Sequence, residues 1–318
     1  MKSLKLNFFG LLLLSSFTLL FVQCEDEPAE PTLSGEARFE ITDAPIDNAN
    51  VQAAFVTVTA VRVDGRAISA LEVKQTVDLL ALQNGNTEFL GSVDLEAGTY
   101  SSLELVLDYE TDASGNAPGC YILTDGGGKA ALQTTTDNTL ELTGSFTVAA
   151  NQTTNVVMDF DVRKAVRQSE SEGYRFVSDS ELNSSVRVVT KSETGTVNGQ
   201  VENSSEFGSR VVVYAYERGT YDRDTELSGQ GSGNIQFKNA VTSAIVRADG
   251  TYTVAFLQEG DYELHFIAYE EPDSEGDREI AGELQLSLLG SLGLDLNNVS
   301  VSARTELSVN VTATGILP

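Results

Sequence analysis

The sequence predicts an all-β chain, two β-sandwich domains carried behind an N-terminal export segment. Three observations support this. Apolar and polar residues alternate over short runs. Gly-, Asn- and Asp-rich turns separate those runs. No helical spacing is sustained beyond three turns. The 318 residues are enough for two cores.

Residues 1–23 are read as a signal peptide. Lys2 and Lys5 precede an apolar run from Phe8 to Val22, which ends in Phe21-Val22-Gln23-Cys24 and the acids Glu25, Asp26 and Glu27. As a helix that run covers about 22 Å, short of a ~30 Å hydrocarbon core. It therefore suits an export signal better than a spanning helix. Residues 24–34 form an acidic tether with Pro28 and Pro31, a composition that stays solvated.

The first domain is placed at residues 35–193. Ala37, Phe39 and Ile41 alternate with Glu36, Arg38 and Glu40, giving a half-buried strand. Val51–Val63 is a second strand. Its apolar parity changes between Val56, Val58 and Val61, Val63, so a bulge is expected near Thr59-Ala60. Asp64-Gly65 signals a hairpin and Asn84-Gly85 a turn. A strand is expected from Tyr100 to Tyr109 with Leu103, Leu105 and Leu107 inward, another from Leu140 to Val148, and another through Val156, Met158, Phe160 and Val162. Asp161–Gln168 is expected to form a short helix, and Val186 and Val188 close the domain.

The second domain is placed at residues 194–318. Strands are expected at Val211–Tyr216, Tyr252–Leu257, from Gly260 onward with Leu264, Phe266 and Ala268 inward, and at Val299–Val301 and Leu307–Val311. Arg218–Gly233 is read as a long, polar, Gly-rich loop. The boundary falls at Lys191–Gly195, where one strand pattern ends and another begins.

Four resemblances carry further expectations. The apolar run ending in Cys24 resembles a bacterial lipobox, with Phe21 and Gln23 departing from its preferred Leu and small residue. This implies a diacylglycerol on Cys24. The acidic run is similar to that of Bacteroidota-type lipoproteins. It implies a chain anchored in the outer membrane at the cell surface, with the periplasmic face as the alternative. Ile41-Thr42-Asp43-Ala44-Pro45, Val77-Asp78-Leu79-Leu80 with Asn84-Gly85, Ala97-Gly98-Thr99-Tyr100, Met158-Asp159-Phe160-Asp161 and Val186-Arg187-Val188-Val189 resemble the lipoprotein family called domain of unknown function 4382. The family usually has a small residue and Lys-Ser after the last acid of the Met-Asp-Phe-Asp motif, where this chain has Val162-Arg163-Lys164-Ala165. The resemblance implies a β fold and a location, but no activity. Gly195 with Val197 and Val201, Asp249-Gly250-Thr251-Tyr252 and Gly260-Asp261-Tyr262 resemble the regulatory domain of carboxypeptidases. That implies a prealbumin-like sandwich, so the pair reads as immunoglobulin/prealbumin-like.

Composition excludes several functions. Forty-seven acidic against 20 basic side chains give a formal charge of −27, which rules out nucleic acid as a natural partner. Cys24 and Cys120 are the only cysteines, so an acylated Cys24 leaves Cys120 without a disulfide partner. His265 is the single histidine, which removes multi-histidine zinc sites, and by parity it is expected to face solvent. The acid pairs Asp43/Asp47, Asp108/Asp112 and Asp159/Asp161 are read as solvated faces rather than a hydrolase pair. Asp222 and Asp224, and Asp273 and Asp277, are fragments of a structural calcium site; no cofactor is expected. Tyr214, Tyr216 and Tyr221 are the candidate ligand contacts, with Tyr214 and Tyr216 outward on one face beside the Arg218–Gly233 loop. The alternative is that these tyrosines cover a neighbouring strand or the interdomain contact.

The function read from these features is a non-catalytic surface module that binds or displays a glycan or protein ligand. The alternatives are a carboxylate-dependent hydrolase of surface polysaccharide and an adhesin subunit joined by strand addition. Cys24→Ser is expected to release the protein from membranes on detergent partitioning. Equal retention of wild type and variant would disprove lipidation.

Overall fold

A computed structural model of the chain describes residues 33–44, 51–67, 73–132, 138–169, 173–231, 233–272, 278–289 and 295–317. Cys24, the tether up to Thr32, Pro45, Asp47, Asp273 and Asp277 lie outside these residues, and Ser34 of the expected tether begins a strand. Strands dominate. In chain order they are β1 Ser34–Ala44, β2 Val51–Val63, β3 Arg66–Ala67, β4 Gln75–Asp78, β5 Glu88–Glu96, β6 Gly98–Tyr100, β7 Leu103–Leu107, β8 Tyr121–Thr124, β9 Lys129–Ala131, β10 Thr139–Leu142, β11 Phe146–Val148 and β12 Thr153–Asp161. Helix α1, Val162–Ala165, follows, then β13 Val166–Ser169, β14 Gly173–Phe176, α2 Asp179–Ser184 and β15 Val186–Thr190. The remainder comprises β16 Thr194–Glu202, β17 Arg210–Glu217, α3 Arg223–Leu227, β18 Thr242–Ile245, β19 Thr251–Gln258, β20 Gly260–Tyr269, β21 Ile280–Leu288, β22 Val299–Val301, β23 Glu306–Ser308 and β24 Val311–Leu317.

Residues up to Thr190 form a sandwich. One sheet has the order β15-β12-β1-β5, with β1 and β12 parallel. The other has the order β10-β7-β2-β8-β9, with β3 and β4 also pairing with β2. Phe39, Ile41, Val56, Val61, Leu105, Leu107, Met158 and Phe160 belong to the core between them. The alternation read in β1 places Ala37, Phe39 and Ile41 in this core. Gly35 is required there, since a Cβ would collide with the Ala149 carbonyl. The register of β2 against β7 shifts between Val58 and Ala60, which keeps Val56, Val58, Val61 and Val63 all buried. Asp64 and Gly65 have φ of 50° and 72°, the two left-handed residues of a tight hairpin turn.

Some expectations differ from the structure. The strand expected from Tyr100 to Tyr109 is two pieces, β6 paired with β11 and β7 paired with β2 and β10. The helix expected over Asp161–Gln168 is a single turn, α1, because Val166–Ser169 pairs with β14 instead.

From Thr194 on, one curled sheet runs β18-β17-β20-β21-β24-β16-β19, with β22 on β20 and β23 on β16. Val197, Val213, Val254, Leu264, Phe266, Ala268 and Val311 lie in its core. The Arg218–Gly233 stretch is not an open loop. It contains α3, and residues 221–240 fold back over the other face of β17 and β20, burying Tyr214, Tyr216, Phe237, Ile267 and Tyr269 in a third cluster.

The two sheet systems meet along a broad seam. Ile235 inserts into the first core, Phe256 packs on Val157 and Val189, and Gly85 lies where a Cβ would sit 3.1 Å from that of Ala255. Fragments 33–193 and 194–318 are each expected to give β-type circular dichroism and cooperative unfolding. The first should be less stable than in the whole chain, because it loses the Ile235 side chain. Non-cooperative melting of both would show that neither core folds without the other.

Candidate functional site

Of the acids noted in the sequence, Asp43, Asp159 and Asp161 lie buried by the seam, whereas Asp108 and Asp112 lie elsewhere, paired with Lys74 and Lys129 rather than on a freely solvated face. Asp161 ends β12, caps α1 by accepting from the Lys164 N–H, and pairs with Arg163 at 2.8 Å and Lys164 at 3.4 Å. Arg163 also donates to the carbonyls of Gln236 and Phe237, and Lys164 donates to that of Ala240. Asp159 pairs with Arg187 at 2.6 Å, and Arg187 donates to the carbonyl of Phe256. Asp159 and Asp161 are 5% and 6% exposed, so the reading of a solvated strand face is corrected: the second sheet system covers it. Phe237 and Phe256 have φ of 51° and 56°, a costly conformation for a bulky residue. Each presents its carbonyl to an arginine from the first sandwich.

Asp43 lies beside this network. Its Oδ1 accepts from the Val162 N–H at 3.1 Å, while among the described residues its Oδ2 has no partner. Burial pushes its carboxyl well above the usual range. The Val162 N–H opposes that rise, and the charges of Asp161, Asp159 and Asp78 add to it. Asp78 accepts from the N–H groups of Leu80 and Ala54, which fixes the turn after β4. Thr42 donates to the carbonyls of Leu82 and Asn86. The motif residues of the first domain are thus bracing groups. Cys120 is buried between the Thr57 N–H and the Asp108 carbonyl, and burial pushes its thiol up to about 12, which makes it inert.

The three candidate tyrosines form a second cluster. Tyr214 and Tyr216 are both fully buried, so their expected outward placement is corrected. Tyr214 stacks on Phe237 at 4.2 Å, shares a 2.6 Å hydroxyl contact with Tyr269 and lies under the Arg163 guanidinium. Tyr216 donates to buried Glu226, and burial together with that carboxylate raises its hydroxyl far above its ordinary range. Tyr221 is half-buried. Its ring stacks on His265 at 3.5 Å, and its hydroxyl donates to Glu283. His265 does not face solvent: Nδ1 lies 2.6 Å from Glu283, and Nε2 lies 4.0 Å from Glu263. Strand parity gave the correct face; the folded-back segment that covers it was not readable. Asp222 caps α3 by accepting from the Thr225 N–H, and Asp224 is exposed. Among the described residues no group of three His, Cys, Asp or Glu is placed to hold a metal.

The concave surface is elsewhere. A cleft of about 630 Å³ opens between the β2–β3 hairpin and the end of β5, lined by Asp64, Arg66, Asp94, Glu96 and Tyr100 over Val93 and Leu95. Tyr100 stacks on Phe146 at 5.4 Å and donates to the Glu96 carbonyl. Slight burial and the charges of Glu96 and Asp64 raise its hydroxyl, against Arg66. Among the described residues none of the four charged side chains makes a hydrogen bond or ion pair. The Asp64-Gly65 hairpin and the motif ending in Tyr100 were legible separately, but nothing local showed that they meet the edge of β5 across a cleft.

A family model described as "Domain of unknown function (DUF4382)" matches residues 34–178. No curated protein matches the chain. Among solved structures, the Bacillus anthracis TIE protein is similar at 11% identity and TM-score 0.19, over 88% of this chain and 34% of that one. A leucine-rich repeat protein from Bacteroides thetaiotaomicron is similar at 13% and 0.19, over 89% and 27%. BcpA, the major pilin subunit of Bacillus cereus, is similar at 10% and 0.20, over 88% and 71%. This chain therefore spans about a third and about a quarter of the first two proteins, and overlays at these scores establish no common function.

Two outcomes are expected. Arg163→Ala strands buried Asp161 and two carbonyls and should cost about 3 kcal/mol, read by urea unfolding; a loss near zero would show that the seam holds without it. For Asp43 the folded-state value is raised. Its stabilising contribution is therefore complete below about pH 3.9 and is lost as pH rises through the folded-state value. Asp43→Asn keeps an acceptor for Val162 and removes the charge, so it should flatten the fall in stability that sets in above about pH 4. An unchanged pH profile would show that the charge is compensated.

Proposed function

We propose that this chain is a non-catalytic surface module, anchored through a lipid on Cys24 at the outer membrane, that binds or displays a ligand on its first sandwich. One observation carries the reading. The groups able to do chemistry (Asp43, Asp159, Asp161 and His265) are engaged in bracing the fold, whereas the charged lining of the Tyr100 cleft is unengaged. A cleft of this volume with an aromatic wall and a few unpaired polar groups has the size and make-up of a ligand site. The acidic, Pro-containing tether would hold the module off the membrane, and the high negative charge suits a repulsive, crowded surface. The β domain from residue 194, read as carboxypeptidase regulatory-like, would support the first through the Arg163 and Arg187 contacts.

The second reading, a carboxylate-dependent hydrolase, is favoured by the three acids in the cleft. Incubating the mature chain with panels of glycans and peptides separates the two. Retention without bond cleavage is expected, and it should be reduced by Asp64→Ala with Glu96→Ala. Released products that disappear in the same double variant would overturn the non-catalytic reading.

A further inference from the structure

β5 is the outer strand of its sheet: β1 lies on one side, and among the described residues no strand pairs with the other. The pairing with β1 sets which backbone groups are free. The Ala97 N–H donates to the Leu33 carbonyl, and the Glu36 N–H donates across to Gln152 on the far side of β1. Antiparallel alternation then directs the backbone groups of Val93 and Leu95 toward β1, and those of Ser92, Asp94 and Glu96 outward. These outward groups border the Tyr100 cleft, whose opposite wall is the β2–β3 hairpin. The cleft is thus the open side of the sandwich, with a row of backbone donors and acceptors on one wall and Asp64, Asp94 and Glu96 against a lone Arg66 in its lining.

We propose that β5 and this cleft receive an extended basic peptide segment of a partner protein, added as an antiparallel or parallel strand with lysine or arginine side chains in the cleft. The inference rests on the reading of the chain as a binding module. Extended peptides join sheet edges through main-chain hydrogen bonds and gain selectivity from side-chain pockets. Charge selects the occupant. A second copy would set Glu88, Asp94 and Glu96 against their own kind, the arrangement that protects edges from self-pairing. The chain's own tether, Glu25 to Thr32, is also acidic and carries Pro28 and Pro31, which lack the N–H that a strand needs. A basic strand meets complementary charge in the lining and is steered by the −27 of the whole molecule.

The test uses the full mature chain and fluorescent octapeptides, alternating Lys-Thr and alternating Glu-Thr, followed by anisotropy. The Lys-Thr peptide is expected to bind and the Glu-Thr peptide not to. N-methylation of alternate amides on one edge of the Lys-Thr peptide, but not on the other, should weaken binding about tenfold or more. Asp94→Pro, which removes an outward N–H and spares the bonds to β1, should do the same, and Arg66→Ala should tighten binding. Equal binding of both N-methylated peptides would reduce the effect to non-specific charge and overturn the proposal, whether or not Asp94→Pro folds. So would preference for the Glu-Thr peptide, or concentration-dependent dimerisation through β5. A glycan retained when no peptide binds would overturn this inference and leave the module reading standing, whereas cleavage of the peptide would overturn the module reading itself.

Discussion

The pair between Asp161 and Arg163 is the contact on which the rest of the arrangement depends. It lies where strand β12 of the first sandwich becomes helix α1, and both side chains are almost completely buried. The guanidinium spans from that carboxylate to two carbonyls of the 226–240 segment and lies over the ring of Tyr214. A buried ion pair yields little net stability against an apolar replacement, but losing one partner strands the other at high cost. Its effect is therefore to fix one geometry. Beside the Ile235 and Ala240 contacts, Phe237 reaches Arg163 with a left-handed backbone, and Phe256 repeats the same pattern under Arg187.

This bracing assigns the chain's polar residues to two populations. Asp43, Asp159, Asp161, Glu226 and Glu283 are engaged by backbone N–H groups, hydroxyls, arginines or the single histidine. Asp64, Arg66, Asp94 and Glu96 stand at the open side of the first sandwich, where among the described residues their side chains make no hydrogen bond or ion pair. A braced interior beside charged groups that make no ion pair among the described residues is the division expected of a binding protein, since recognition groups are effective when a fixed scaffold presents them.

The candidate tyrosines show how far strand parity carries. Val211, Val213 and Ala215 face one side of β17, and Val212, Tyr214 and Tyr216 face the other, as period two requires. Parity separates faces but does not say which is wet. The Arg218–Gly233 stretch, with its glycines and charges, reads as a solvent loop, yet Tyr221 and Leu227, with Phe237 and Ala240 just after it, cover that face. The same blindness affected Asp159 and Asp161: their side was right and their solvation was not.

The sequence by itself determined several features that rest on neighbours a few residues apart. The bounds of β2 and its bulge follow from valine parity, the hairpin at Asp64-Gly65 from two residues tolerant of positive φ, and the inward set of β20 from Leu264, Phe266 and Ala268. Composition likewise sets the polyanionic surface. Only the tertiary structure decided which faces are covered, which acids are paired and where a cleft opens. Those outcomes depend on contacts between residues such as Arg163 and Phe237, or Asp64 and Glu96, that are distant along the chain. Desolvation and pairing act through space, and local sequence carries no record of what will lie across from it.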